Sequence, residues 1–364
     1  MTVEREIAGI TLPFIAGIAV QAYVQTLFLH SSQWTATFSL SITLLMTICL
    51  LHPMHRTWNR RSARSIISVI FFTCGIFLSS TSCFIHPDIP GRLISFASEA
   101  GQSMSDTINM IGFRNNNTNA IINALLTGDR TGLSKEVTEA FRDSGASHIL
   151  AISGLHLGII HSIVKKILLI LGNSPCSVKI RSLTTIAICG FYSLAVGAGA
   201  SVIRAFIFIS MYETSAMTGR YKSLRHVLMA AITVHLAISP ESIEEIGFQL
   251  SYAAMAGIAF INPRLSEFWP KDDKSIAGRM WRAAALSISC QITTGPLAYI
   301  YFGTLPKYFL LTNLIALPLT GIIIPLSLTT LVLSCSDICP EILLRATEAL
   351  IQALSEALSI ISSM

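Results

Sequence analysis

The sequence predicts an all-α, polytopic membrane protein of about ten spans, with broken helices and one amphipathic helix outside the membrane. Three observations predict it. First, 52% of the 364 residues are hydrophobic and only 12% are charged, about half the charge that soluble domains carry; mean hydropathy is +0.63. Second, apolar runs recur along almost the whole chain. Third, Lys and Arg gather in alternate short loops, which is how a polytopic chain fixes its orientation.

The expected spans are 7–29, 36–51, 66–84, 147–171, 183–199, 201–217, 227–239, 246–262, 283–302 and 308–333, followed by a mixed helix at 341–362. The first lacks the basic leader and small-residue cleavage site of a signal peptide and is read as retained. "HPMHRTWNRRSARS" (52–65), "GNSPCSVKIR" (172–181), "GRYKSLR" (219–225) and "NPRLSEFWPKDDKSIAGRMWR" (262–282) are basic and placed in the cytoplasm. Loop 30–35 carries no charge and "SPESIEEI" (239–246) is acidic. The assignments alternate, putting the N-terminus inside and 85–145 outside. Three parts are expected: a three-span segment at 1–84, an extracytoplasmic segment at 85–145 and a membrane core at 146–364. Of eight cysteines, six lie in or beside apolar runs, as small buried hydrophobes do. Cys335 and Cys339 have no histidine near them in sequence, so no metal site is read there.

Within the outside segment, Leu93, Phe96, Ala97, Ala100, Met104, Ile108 and Ile111 recur at three- and four-residue intervals. They predict an amphipathic helix over 91–113 lying on lipid or against the bundle. "NNNTN" (115–119) breaks it.

Four segments hold polar groups where hydrocarbon penalises them. "HILAISGLHLGII" (148–160) carries His148, Ser153 and His156, with Gly154 and Gly158 spaced for close helix approach. On an ideal helix, Ser153 and His156 project within about 60° of each other and form a polar strip facing the bundle interior. "SLAVGAGASVIRAFIF" (193–208) places Gly197 and Gly199 at a break, with Arg204 just beyond, the mark of a discontinuous helix lining a pathway. "GFQLSYAAMAGI" (247–258) opens on Gly247 and sets Gln249, Ser251 and Tyr252 among apolar residues. "TTGPLAYIYFGTLPKYFLLTNLIALPLTGIIIPL" (293–326) carries four prolines; Asn313 is placed to satisfy the carbonyl that Pro318 frees. A buried polar path is one reading of these segments, and structural interhelical hydrogen bonding is the other.

Taken in order, "ALLTGDRTGLSKEVTEAFRDSGASHILAISGLHLG" (124–158), "GAGASVIRA" (197–205), "GFQLSYAA" (247–254) and "NLIALPLTG" (313–321) resemble the ComEC family of bacterial competence proteins, over roughly 120–335. The resemblance implies an inner-membrane protein that passes single-stranded DNA into the cytoplasm in natural transformation. It implies a cytoplasmic helicase-like motor and an extracytoplasmic DNA receptor as partners, with a homodimer and lipid contact also expected. It carries Gly128, Asp129, His148, Ser153, Gly154, His156, Arg204, Gln249 and Ser251 over as path-lining or packing residues. No acid stands beside Ser153 and His156 in sequence to orient a nucleophile and base, so no enzymatic activity is expected, and no cofactor or metal.

Full-length members resemble a three-part protein with an OB-like domain and a metallo-β-lactamase-like domain. Residues 85–120 are too few for a five-stranded OB barrel, and the sequence has no His-x-His-x-Asp-His; the chain is read as the channel core alone. It has no Gly-x-x-x-x-Gly-Lys motif to power transport. Two alternatives remain open: a secondary transporter of a small anion held by Arg204, and a non-transporting scaffold or remnant of a split system.

Overall fold

The computed structural model describes residues 2–27, 32–51, 60–81, 90–218, 223–270, 273, 275–303, 307–336 and 338–363. Every element among them is helical: α1 Thr2–Leu27, α2 Ser32–Leu51, α3 Arg60–Thr81, α4 Gly91–Met110, α5 Asn116–Leu126, α6 Lys135–Asp143, α7 Ser147–Leu150, α8 Gly154–Ile167, α9 Pro175–Ala195, α10 Ala200–Met217, α11 Leu224–Ile238, α12 Ile246–Ala256, α13 Asn262–Ser266, α14 Ile276–Phe302, α15 Phe309–Ser334 and α16 Glu341–Ser362. Short 3₁₀ turns follow α8 and α11, and a π-helical turn, Gly257–Ile261, joins α12 to α13.

The all-α expectation holds among these residues. The ten spans are not all matched by length and composition. Among the described residues, three stretches are long and apolar enough to cross a membrane: Glu6–Gln25, Gly154–Leu171 and Phe309–Ser334. Phe38–Thr47, Arg64–Ser80 and Leu224–Ile238 are apolar but shorter. The expected 147–171 span is interrupted at 151–153, and 246–262 changes from α to π geometry at Gly257. The tract at 115–119 does more than end a helix. Asn115 takes an extended conformation and its side chain accepts from the Asn117 N–H, so it caps and starts α5. The basic loop 52–59 lies outside the described residues.

The chain forms two compact units, one of Met1–Asp88 with Tyr221–Tyr252 and the other of Ile89–Arg220 with Ala253–Met364. In the first, α1 packs on α3 and α11, and α3 packs on α2. Two glycines allow the α1–α3 approach. A Cβ on Gly17 would stand 2.0 Å from the Phe72 carbonyl oxygen, and one on Gly75 would stand 2.4 Å from that of Phe14. Backbones this close gain dispersion contact without needing a difference in water affinity, which is the packing that hydrocarbon permits. Hydroxyls and amides then tie the helices: Ser68 Oγ donates to Gly9 O, Gln21 Nε2 to Thr35 Oγ1 and Thr43 Oγ1 to Thr73 Oγ1.

In the second unit, one apolar core joins Ile121, Ile122, Leu125 and Leu126 of α5, Val137 and Phe141 of α6 and Ile149 of α7. It takes in Ala316, Ile323, Ile324 and Leu331 of α15 with Ile351, Leu354 and Leu358 of α16. Residues 116–150 are thus half of a packed core, not a loose surface segment. Glu348 Oε1 accepts from Asn115 N–H at 2.7 Å, and Thr312 Oγ1 donates to Ser144 O at 2.7 Å. A separate cluster of Leu157, Cys189, Val202 and Ile209 packs α8, α9 and α10 together.

Gly17→Ala is expected to lower the stability of the first unit by about 1–3 kcal/mol through overpacking. Gly9→Ala, whose Cβ meets nothing within 4 Å, is expected to leave it unchanged. Thermal unfolding of the detergent-solubilised protein checks the pair; equal effects would contradict the close approach.

Candidate functional site

The residues singled out in 124–158 and 197–205 meet around one end of α8 and α10. The chain enters this region through a tight turn at 127–131. Gly128 has φ +81°, and a Cβ there would also meet Ile152 Cδ1 at 3.0 Å, so two separate constraints demand glycine. Asp129 Oδ1 accepts from the Thr131 N–H at 2.9 Å and the Thr131 hydroxyl at 2.7 Å. These bonds hold its carboxyl below the usual carboxylate range. Arg130 Nε donates to Leu150 O, tying the turn to the end of α7, and Tyr192 Oη donates to Leu126 O, tying it to α9. His148 lies on the exposed turn of α7, its Nδ1–H donating to Gly145 O at 3.2 Å.

Ser153 and His156 do not form a strip on one helix face. Ser153 is extended (φ −127°, ψ 174°) and is the N-cap of α8. Its Oγ accepts from Leu155 N–H at 3.3 Å, and its own N–H donates to His156 Nδ1 at 3.2 Å, with Oγ 3.0 Å from the same nitrogen. This is a capping box with histidine in the place where Glu or Gln is usual. A serine with such local partners competes with the helical backbone bonds, which is why the apolar run breaks here. The cap also assigns the tautomer. A backbone N–H can only donate, so Nδ1 accepts, and the neutral ring carries its proton on Nε2. His156 is 0% exposed, and its Nε2 has no hydrogen-bond partner among the described residues. An enclosed N–H in that state costs roughly 1–3 kcal/mol and stands ready for an acceptor.

Beside it runs α10. The break predicted near 197–199 is present: α9 ends at Ala195, Gly197 has φ +84° and Ala198 φ +50°, and α10 starts at Ala200. A Cβ on Gly154 would sit 3.4 Å from that of Ala205, so the N-terminal turn of α8 lies against α10 one residue from Arg204. Arg204 is 8% exposed. Gly158 meets nothing within 4 Å, so only the first glycine of the Gly-x-x-x-Gly pair makes a close approach, and Gly199 is equally open.

Gln249, Ser251 and Gly247 belong to α12, in the first compact unit. Gln249 Nε2 donates to Ile243 O at 2.9 Å. Its neighbour Tyr252 faces His235, with Oη 3.1 Å from Nδ1, and Phe248 sits edge-on to the same ring at 5.1 Å. In α15, Asn313 makes no bond to the Leu314 carbonyl that Pro318 frees; its Oδ1 is enclosed without a partner among the described residues.

Against known proteins, the family model described as "Competence protein" matches residues 125–364. The chain belongs to the competence protein family. The resemblance drawn from its motifs is therefore shown, and the match covers every site residue proposed from the sequence. ComE operon protein 3 of Bacillus subtilis (strain 168) is 34% identical to this competence-family chain over 134 residues, 36% of the chain and 17% of that protein. The uncharacterized protein YcaI of Escherichia coli (strain K12) is 24% identical over 226 residues, 60% of the chain and 29% of that protein. The matched part thus spans less than a third of either relative. No solved structure matches.

The sequence reading missed a buried polar cluster in this competence-family core. Glu213 of α10, 1% exposed, takes hydrogen bonds from His161, Lys165 and Ser182. The signal was a lone acid in the 201–217 run and a His–Lys pair at i, i+4 in the 147–171 run, all averaged away when the runs were scored for apolarity.

Gly128→Ala is expected to destabilise by roughly 1–2 kcal/mol, the cost of a left-handed side-chain-bearing residue, and Ser153→Ala by about 0.5–2 kcal/mol through loss of the cap. Gly158→Ala is expected to be neutral or stabilising by up to about 1 kcal/mol. Thermal unfolding ranks the three; a loss at Gly158 as large as that at Gly128 would restore the two-glycine contact.

Proposed function

We propose that this chain is the inner-membrane core through which single-stranded DNA passes during natural transformation, crossing the membrane about ten times with its N-terminus in the cytoplasm. The observation that carries this reading is the enclosed His156 Nε2–H, set beside the Arg204-bearing helix. The parallel run of α8 and α10 adds to it. Gly154 faces Ala205, and His161 and Lys165 of α8 reach Glu213 of α10, so both helices start at one end and lead the same way. Two helix N-termini there present partial positive charge together with a cation and a neutral donor. That is the chemistry a phosphodiester calls for. Parallel α8 and α10 with α9 antiparallel between them also fit the alternation of basic and uncharged loops.

Arg204 and Glu213 help explain why α10 is not among the three apolar spans. Polar groups turned inward lower the mean hydropathy of a helix whose outer face still suits lipid. The role proposed is conduction, not bond-making. Ser153 Oγ and its N–H are both engaged in the cap, and no carboxylate meets His156 Nε2 among the described residues, so the pair lacks the third group that orients a base. A cytoplasmic motor, an outside DNA receptor and a second copy of the chain are the partners this role requires.

The test is a deletion strain of the host, made competent and complemented with wild type, His156→Gln or Arg204→Met, scored for transformants and for labelled DNA held at the cell surface. Deletion is expected to abolish transformation with surface uptake intact. Each variant is expected to lower it by about 10- to 100-fold, the equivalent of one charge-assisted hydrogen bond of about 1.5–3 kcal/mol. Full transformation in the deletion strain would overturn the reading, and saturable uptake of a small anion lost with Arg204→Met would replace it.

A further inference from the structure

The Glu213 cluster stands apart from the site residues, deeper along the same helices. Glu213 Oε1 accepts from His161 Nε2 at 2.8 Å and from Lys165 Nζ at 2.5 Å, both on α8. Oε2 accepts from Ser182 Oγ of α9 at 2.7 Å. The Lys165 ammonium lies 5.0 Å from the centre of the Tyr212 ring, and His161 meets that ring edge-on at 6.0 Å. One carboxylate thus holds α8 with one oxygen and α9 with the other, from a position on α10.

We propose that Glu213 is a positioning residue that locks the register of α8 against α10, and so fixes where His156 stands relative to Arg204; the second clause rests on the conduit reading above. The apolar seam cannot do this alone. Its buried members are Leu157, Cys189, Val202 and Ile209, and apolar contacts tolerate sliding because they have no direction. A carboxylate shut away from water has no such freedom. Moved one helical turn, about 5.4 Å, it would lose its donors and remain buried with its charge unmatched, a far costlier state than the paired one. At 1.5 Å per residue, the lock lies roughly 10–12 Å along the helices from the Gly154–Ala205 contact. Both helices are continuous over that distance, so a register set at one end is delivered to the other.

The experiment is disulfide trapping in membranes, in a background lacking native cysteines. Gly154→Cys with Ala205→Cys reports the register of α8 on α10, because the Cβ separation suits a disulfide. Thr330→Cys with Thr347→Cys, whose hydroxyls lie 3.1 Å apart, reports the α15–α16 packing as a control for folding. The first pair is expected to form in the parent and to fall at least about tenfold with Glu213→Leu while the second pair still forms. The exchange Glu213→Lys with Lys165→Glu is expected to recover the first pair in part. An unchanged 154–205 yield in Glu213→Leu would overturn the lock. So would loss of both pairs in Glu213→Leu and Glu213→Gln alike, which would make Glu213 a support of the whole fold. Loss of the 154–205 pair with normal transformation would leave the lock standing and overturn the conduit reading instead.

Discussion

In the three-helix seam of α8, α9 and α10, the cost of leaving a polar group without a partner decides where helices begin and how they register. The Ser153 N–H must be satisfied, and His156 Nδ1 satisfies it; that bond ends the preceding turn, starts α8 and puts the ring proton on Nε2. Glu213 must be satisfied, and His161, Lys165 and Ser182 satisfy it, which ties three helices at one depth. Among the described residues of the seam, two enclosed donors remain without partners, Ser210 Oγ of α10 and His156 Nε2, the latter held in a fixed tautomer next to α10.

Elsewhere the contacts are made by absence of side chain. Gly17 and Gly75 let α1 and α3 meet backbone to backbone, Gly101 does the same against the Ala195 carbonyl, and Gly257 against that of Ser289. At Gly257 the helix also widens to π geometry, a local change of winding that shifts the faces of the residues beyond it. The two kinds of contact divide the labour. Small residues set how near helices come, and hydrogen-bonded polar residues set where along their length they stop.

Much of this was legible in the sequence wherever the signal was a local pattern. The amphipathic period over 91–113 became Gly91–Met110, the break near 197–199 is real, and the mixed helix at 341–362 is Glu341–Ser362. The family motif singled out Gly128, Ser153, His156 and Arg204, though not the turn and the cap that the first three make. Local patterns did not reveal pairings between distant residues. The three-residue spacing paired Ser153 with His156 but put them on one helix face, not in a capping box usually closed by Glu or Gln. Nothing near Glu213 names His161, 52 residues earlier. Nor does the sequence of 115–145 show that α5 and α6 complete a core with α15 and α16. The Gly154–Gly158 spacing misled for the complementary reason, since it marks a possible helix contact and only Gly154 has a neighbour to meet.

The central claim is that a strand in transit passes the N-terminal end of α8. Its most direct test is photocrosslinking from a reactive side chain placed at Leu155, next to His156 and partly exposed, during uptake of an end-labelled strand stalled by a bulky block. The same side chain at Ile170, 89% exposed beyond the other end of α8, serves as the reference. The account predicts labelled adducts at position 155 that vanish when unlabelled competitor DNA is added, and none at 170. Normal arrival of the strand in the cytoplasm without an adduct at 155 would contradict it.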